Sequence, residues 1–278
     1  MEKFEEMCSR FEKVSIWKRG GQKLVYSAVN KDYGECVIKL YFELNDPRAE
    51  REIDIEKDIE IGYVPQIYET GFVEYEGLKT LYVVEEKING TELRTIINEG
   101  KRFSLQEAFD FLEQGLEFIQ YLEEQGIVHR DIKPENIIVK EDGKIIFIDF
   151  GIARIVGGTS LTRTEALLGP HTPGYAAPEQ FNNMKKEIDS RTDMFSLAVV
   201  TYECLTGINP FRKNANNALE ILQNTETITP VTYRIEGDSQ MQFMGLLSSM
   251  MAKYLSRRPK NAKQALNWLE ASKRTLKL

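Results

Sequence analysis

The chain has 278 residues and a formal net charge of −7, with 42% hydrophobic and 28% charged residues, a composition that suits a globular protein with a sizeable core. No stretch approaches the roughly 20 apolar residues of a spanning helix, and the N-terminus MEKFEEMCSRFEK lacks the apolar core of a secretory leader, so a cytoplasmic protein without a membrane anchor is expected. The acidic balance argues against a nucleic-acid footprint, and the three cysteines, Cys8, Cys36 and Cys204, show no CxxC or Cys/His cluster that would suggest disulfides or zinc.

In chain order, KLVYSAV, ECVIKLY and TLYVVE are short, rich in β-branched and aromatic residues and separated by Gly, Asn and Asp, which predicts strands. One helical interruption is expected from Pro47 to about Ile61, where Glu52, Ile55, Glu56 and Ile59 fall at i, i+3, i+4 and i+7. An acidic residue on such a stripe needs a partner, because an unpaired carboxylate is costly to desolvate. After KINGTE the character changes. SLQEAFDFLEQGLEFIQYLEEQG predicts a long amphipathic helix that opens at a Ser cap and closes at Gly126. Further helices are expected at DMFSLAVVTYECLTG, NNALEILQN, QFMGLLSSMMAKYL and AKQALNWLEASKR. A strand-rich part thus precedes a helix-rich part, with no internal repeat and no low-complexity linker.

The densest signal is VHRDIKPENIIV, followed thirteen residues after its asparagine by DFG at Asp149, Phe150 and Gly151. With VIKL around Lys39 and GYAAPEQF around Ala177, Pro178 and Glu179, the chain resembles the eukaryotic-type serine/threonine protein kinases over nearly its whole length, and most resembles bacterial or phage members. The resemblance implies an α+β, two-lobed kinase fold over residues 1–278: an N-lobe of antiparallel strands with one key helix at 1–85, a hinge at 86–92 and a mainly helical C-lobe at 93–278. Its activation segment would be 149–179.

ATP and Mg²⁺ are the cofactors so implied. Phosphoryl transfer asks mostly for positioned charge, and each motif has a role in that. Asp131 would be the catalytic base and Lys133 would neutralise the γ-phosphate. Asn136 and Asp149 would supply hard oxygen ligands to the metal. Thr172 would bond Asp131 and Lys133. Lys39 would contact the α- and β-phosphates and pair with a helix glutamate, Glu52 being preferred and Glu56 the alternative. Val25 and Val37 above the adenine, Ile138 below it and Val84 at the gate would form the pocket, with the backbone of Glu85 to Lys87 meeting the base edge.

The phosphate-covering loop departs from the family pattern. In KRGGQKLV only Gly20 is kept, joined by Gly21, while Lys18 and Lys23 replace the first and third glycines, which restricts the loop and offers two point charges for phosphate. On the regulatory side, Arg130 and Arg154 resemble arginines that receive an activation-loop phosphate, with Thr162 and Thr164 as the candidate acceptors and Thr159 and Ser160 nearby. Glu179 and Arg258 resemble a structural ion pair, and Asp193 the acid that bonds the catalytic-loop backbone. Protein substrates are implied as partners, with no nucleic acid and no membrane, together with a transient dimer for phosphorylation in trans. Two rival readings are a small-molecule phosphotransferase of the aminoglycoside type, which should lack HRD with Lys133, TPGY and APE, and a pseudokinase, which only the altered glycine loop supports.

Overall fold

A computed structural model describes residues 1–19, 23–42, 61–149, 154–155, 172–182, 184 and 186–278. The chain divides into two compact units, Met1–Asn89 and Gly90–Leu278.

The first unit is a five-stranded antiparallel sheet in the order β1-β2-β3-β5-β4. Its strands are β1 (Glu12–Arg19), β2 (Lys23–Asn30), β3 (Gly34–Tyr41), β4 (Ile67–Tyr75) and β5 (Leu78–Glu86). The β4–β5 connection is a two-residue hairpin, Glu76-Gly77, both residues at positive φ (50° and 79°). Such a turn matches the right-handed twist of the flanking strands, and glycine reaches it without steric cost. Alternation along the strands sorts the side chains. Leu24, Tyr26 and Ala28 of β2, Cys36, Ile38 and Leu40 of β3, and Tyr82 and Val84 of β5 enter one apolar cluster. Tyr41 and Val83 pack together in a second.

The first cluster is completed by an element that the sequence reading did not identify. A short helix, α1 (Phe4–Cys8), places Phe4 and Met7 in the cluster, with the Phe4 ring 4.9 Å from that of Tyr26. Alternating charged and apolar residues hide so short a helix, because its two core positions span a single turn. Cys36 is fully buried, where desolvation pushes its thiol up to about 11, in keeping with an unreactive packing role. The helix expected from Pro47, with Glu52 and Glu56, lies outside the described residues.

The second unit is mainly helical. It holds α2 (Leu93–Asn98), α3 (Leu105–Glu124), α4 (Pro178–Phe181), α5 (Ser190–Thr206), α6 (Ala218–Thr227), α7 (Gln242–Met250) and α8 (Ala262–Ser272). Helix α3 begins as expected: the Ser104 hydroxyl accepts from the Glu107 N–H at 3.1 Å, and the Glu107 carboxylate accepts from the Ser104 N–H at 2.8 Å. Replacing Ser104 by alanine is expected to cost about 1 kcal/mol of unfolding free energy, read as a lower urea midpoint at unchanged slope.

Helix α5 is buried on nearly every side and packs against α3, α7 and α8. At Gly115 of α3 a Cβ would come within 2.5 Å of Leu197, so glycine is what allows α3 and α5 to close together. Around these helices run two small sheets. Strands β6 (Thr91–Glu92), β8 (Ile137–Val139) and β9 (Ile145–Phe147) form one, and β7 (Ile127–Val128) pairs with β10 (Arg154–Ile155) in the other. Among the described residues no helix is long and apolar enough to cross a membrane.

Candidate active site

In the second unit the segment 129–136 is fixed from beneath. Asp193, in the first turn of α5 and fully buried, accepts the backbone N–H of His129 at 2.8 Å and of Arg130 at 2.7 Å. Arg130 stands at φ 71°, a left-handed conformation that costs a non-glycine residue energy and persists only where its surroundings hold it. Three bonds do so here: the two to Asp193, and one from Gln180 Nε2 to the Arg130 carbonyl at 2.8 Å. This peptide geometry turns the next side chain, Asp131, into a group of polar partners.

Those partners arrive from two places in the sequence, the same loop and Thr172. Lys133 Nζ lies 2.5 Å from Asp131 Oδ2, the Thr172 hydroxyl donates to Oδ1 at 2.7 Å, and Asn136 Nδ2 donates to Oδ2 and to the Asp131 carbonyl, each at 3.1 Å. Lys133 also donates to the Thr172 hydroxyl at 3.2 Å. Burial raises the Asp131 carboxyl above the ordinary aspartate value, opposed by the Lys133 charge and the Thr172 hydroxyl. A carboxylate so placed is anchored in orientation and more basic than a surface aspartate.

Asn136 ends a 3-10 turn (Pro134–Asn136) that leads straight into β8, and its carbonyl accepts the Ile148 N–H at 3.0 Å. That bond ties Asn136 to the residue before Asp149. With its amide nitrogen committed to Asp131, the Asn136 side chain presents Oδ1, so this amide oxygen and the Asp149 carboxylate are both hard donors. No group of three or more His, Cys, Asp or Glu side chains among the described residues forms a cage by itself. Two oxygens suit Mg²⁺, which completes its shell with phosphate and water.

Thr172 is held by the segment Thr172–Ala177. Gly174 adopts φ 92°, its carbonyl accepts from Asn209 Nδ2 at 3.1 Å, and the Pro173 carbonyl accepts from Arg212 Nε and Nη2 at 3.1 and 2.9 Å. The Arg212 guanidinium covers the Tyr175 ring at 4.7 Å, and the Tyr175 hydroxyl joins Glu203 and Arg94. Arg94 in turn reaches Glu135 at 2.8 Å. Arg94, Asn209 and Arg212 were missed by sequence reasoning. Their partners in this group lie 35 to 109 residues away, and no local spacing connects them.

The structural ion pair is present. Arg258 Nη1 and Nη2 lie 2.7 and 3.0 Å from the two oxygens of Glu179, and the side chains are 0% and 3% exposed. The Thr192 hydroxyl donates to Glu179 at 2.8 Å, and Arg258 also donates to the Ala252 and Arg191 carbonyls.

Two buried groups carry opposite pH signatures. Burial holds the His129 imidazole down at about 4, with Asp149 pulling the other way, and pushes the Asp193 carboxyl up to about 7 against its two N–H donors. As pH falls from 6.5 to 4 the unfolded chain gains a proton on His129 that the folded chain refuses, so stability is lost in that direction. As pH rises from 3.8 through 7 the folded chain keeps a proton on Asp193 that the unfolded chain has released, so stability is lost in the other. His129→Phe removes only the first effect. Its stability relative to the parent is expected to improve as pH falls from 6.5 to 4 and to stay level above 6.5, checked by urea unfolding across that range; a pH-independent difference would contradict the assignment.

In the first unit, Lys39 of β3 shares a sheet face with Val25 and Lys23 of β2, with Val37, and with Val83 and Glu85 of β5. Lys39 is 5% exposed and Val37 4%. The Lys23 ammonium lies 5.6 Å from the Tyr41 ring centre. Lys18 is exposed near the end of β1.

Two expectations need correction here. Val84 cannot stand at a gate on the Lys39 face, because strand alternation sends it to the opposite side, into the cluster with Phe4 and Met7. Glu85 occupies the Lys39 face instead, with Oε2 2.8 Å from Lys39 Nζ and 3% exposure. The hinge edge also moves. Glu85 and Glu86 are residues of β5, the Glu86 N–H donates to the Gln66 carbonyl at 2.8 Å and the Lys87 N–H to the Glu35 carbonyl at 3.4 Å, so those two amides are already engaged. The Lys87 side chain reaches Glu35 at 3.0 Å.

Ile138, in β8 of the second unit, pairs with Glu92 and Ile146 and is 9% exposed. Arg154 takes part in β10 through its backbone. Gly20, Gly21, Glu52, Thr162 and Thr164 lie outside the described residues.

Comparison with known proteins agrees with this geometry. The family model described as "Protein kinase domain" matches residues 12–269, and the chain belongs to that family. It is 32% identical over 233 residues to a probable serine/threonine-protein kinase PknB of Corynebacterium glutamicum, covering 81% of this chain and 35% of that protein. It is 30% identical over 267 residues to the serine/threonine-protein kinase PknB of Mycobacterium leprae, covering 93% and 41%. A probable serine/threonine-protein kinase, pknA2, of Bifidobacterium longum is 32% identical over 212 residues, covering 73% and 27%. These relatives are bacterial, and the chain spans about a third of their length. The α+β fold, with its antiparallel sheet and helical second unit, is that of the family, which works with ATP and Mg²⁺.

Proposed function

We propose that the chain is a serine/threonine protein kinase that moves the γ-phosphoryl group of ATP onto a hydroxyl of a protein substrate. The observation that carries this reading is the Asp131 carboxylate, gripped at once by Lys133, Thr172 and Asn136 on a backbone that Asp193 holds in a strained conformation. A strained residue held in place directly before a carboxylate with three side-chain partners is the pattern from which a functional site is inferred.

In this reading Asp131 orients the attacking hydroxyl and takes up its proton. Lys133, already beside Oδ2, holds the carboxylate ionised and presents a cation for the transferred group. Asn136 and Asp149 would hold Mg²⁺, whose chemistry when bound is to neutralise charge on the phosphate oxygens. Lys39 would meet the nucleotide phosphates, with Val25, Val37 and Ile138 supplying apolar contact to the base. Thr172, bonded to both Asp131 and Lys133, favours the serine/threonine class and helps to shape the acceptor platform.

Activation by phosphorylation at Thr162 or Thr164 belongs to the same proposal. A dianion there would draw on Arg130 and Arg154, and transfer in trans through a transient dimer would supply it. The working location is the cytosol. The test is incubation with Mg²⁺, γ-labelled ATP and casein, together with the Asp131→Asn variant and phosphopeptide mapping. Transfer to casein or to the chain itself that depends on Asp131 is expected. Transfer to aminoglycosides alone would redirect the reading to a small molecule, and active protein unmodified over 159–164 would remove the autophosphorylation step.

A further inference from the structure

We propose that Glu85 is a positioning residue for Lys39: a carboxylate built into the neighbouring strand that fixes the lysine from within the sheet. The inference deepens the kinase reading and depends on it for its activity arm. The geometry follows from register. Val37 of β3 stands opposite Glu85 of β5, and Lys39 stands opposite Val83, so Lys39 and Glu85 are diagonal neighbours on one face. Long side chains span that diagonal. The ammonium and Glu85 Oε2 meet at 2.8 Å, with the two side chains 6% and 4% exposed.

Neither charge could stay there alone. Burying an unpaired ammonium or carboxylate is far costlier than burying the pair, so each side chain keeps the other in place. The contact is a buried ion pair. The strands carrying the pair are locked by a continuous antiparallel ladder from Cys36↔Glu86 to Tyr41↔Leu81. Lys39 is therefore oriented by the sheet itself, whatever further contacts it makes, and a phosphate-binding cation held in this way has less freedom to lose on meeting nucleotide.

The experiment uses the chain with four variants. Glu85→Gln keeps the size and an acceptor, Glu85→Met keeps the volume alone, Lys39→Met removes the partner charge, and Lys39→Met/Glu85→Met removes both charges. For transfer with MgATP, the KM for ATP in Glu85→Met is expected to rise about tenfold or more, with a smaller rise in Glu85→Gln. In thermal unfolding, Glu85→Met and Lys39→Met should each lower the midpoint, and the double variant should recover most of the loss, because each single change strips the other side chain of this buried counter-charge. An unchanged or lowered KM in Glu85→Met overturns the positioning role, and additive midpoint losses in the double variant overturn the pair. If the parent protein transfers no phosphate, the kinase reading fails by itself, while the unfolding cycle still decides whether Glu85 and Lys39 act as a unit.

Discussion

Replacing Asp131 by asparagine is expected to lower kcat by roughly 10²- to 10⁴-fold, the range in which a positioned general base contributes, with little change in KM for ATP. Asparagine fills the same space and its oxygen can still accept from Thr172 or Lys133, so the loss would report proton acceptance rather than collapse of the loop. The pH profile provides an independent check. Burial holds the Asp131 carboxyl above the ordinary aspartate range, although Lys133 opposes it. Activity requires the ionised form, so kcat/KM should fall on the acid side through a pKa above 3.8. Lys133→Met takes away the opposing charge, and its acid limb should move to higher pH. A variant at Asp131 that retains transfer, or an acid limb unmoved by the loss of Lys133, would count against this residue as the base.

The division between what the sequence revealed and what it concealed follows the range of the interactions. HRD, the lysine two residues on, the asparagine five on and DFG lie close together in the chain, so their spacing could be read without knowing the distant residues, Asp193 and Gln180, that fix the loop. The Ser104 cap was legible because serine before an apolar helical run has one common task, whereas the Asp193 carboxylate was legible only through the family resemblance. The gate was misread because TLYVVE fixes a strand but not which of its faces is which. A one-residue change of phase exchanges Val84 for Glu85, and only the register against β3 decides it. An acid at a position expected to be apolar is the signal that could have been used: Glu85 shares alternation parity with Val83, on the strand opposite Lys39. The groups around Tyr175 had no such signal. Arg94, Glu203 and Arg212 meet there only because α2, α5 and the chain after α5 converge on one loop.

The Glu179–Arg258 pair gives the largest expected stability effect. Both side chains are buried, the contact is bidentate, and the remaining hydrogen-bonding capacity is taken up by Thr192 and by the Ala252 and Arg191 carbonyls. Glu179→Leu leaves a guanidinium without its counter-charge in the interior, and Arg258→Met leaves a carboxylate, so each is expected to cost about 3–5 kcal/mol in urea unfolding. The double replacement should cost far less than the sum, because it removes both charges from a site already lined by the Phe195 ring, over which Arg258 lies at 4.9 Å. Activity should not return with stability. Glu179 stands beside Gln180 in the short helix α4, and Gln180 holds the Arg130 carbonyl that sets the direction of Asp131. With Glu179 no longer anchored to Arg258, α4 loses its fixed point beneath the loop, and a misplacement on the order of 1 Å is enough to cost about 10²-fold in rate. A double variant that is stable but slow would therefore separate the pair's folding role from its positioning role, whereas one that recovers both would reduce the pair to a stabilising contact.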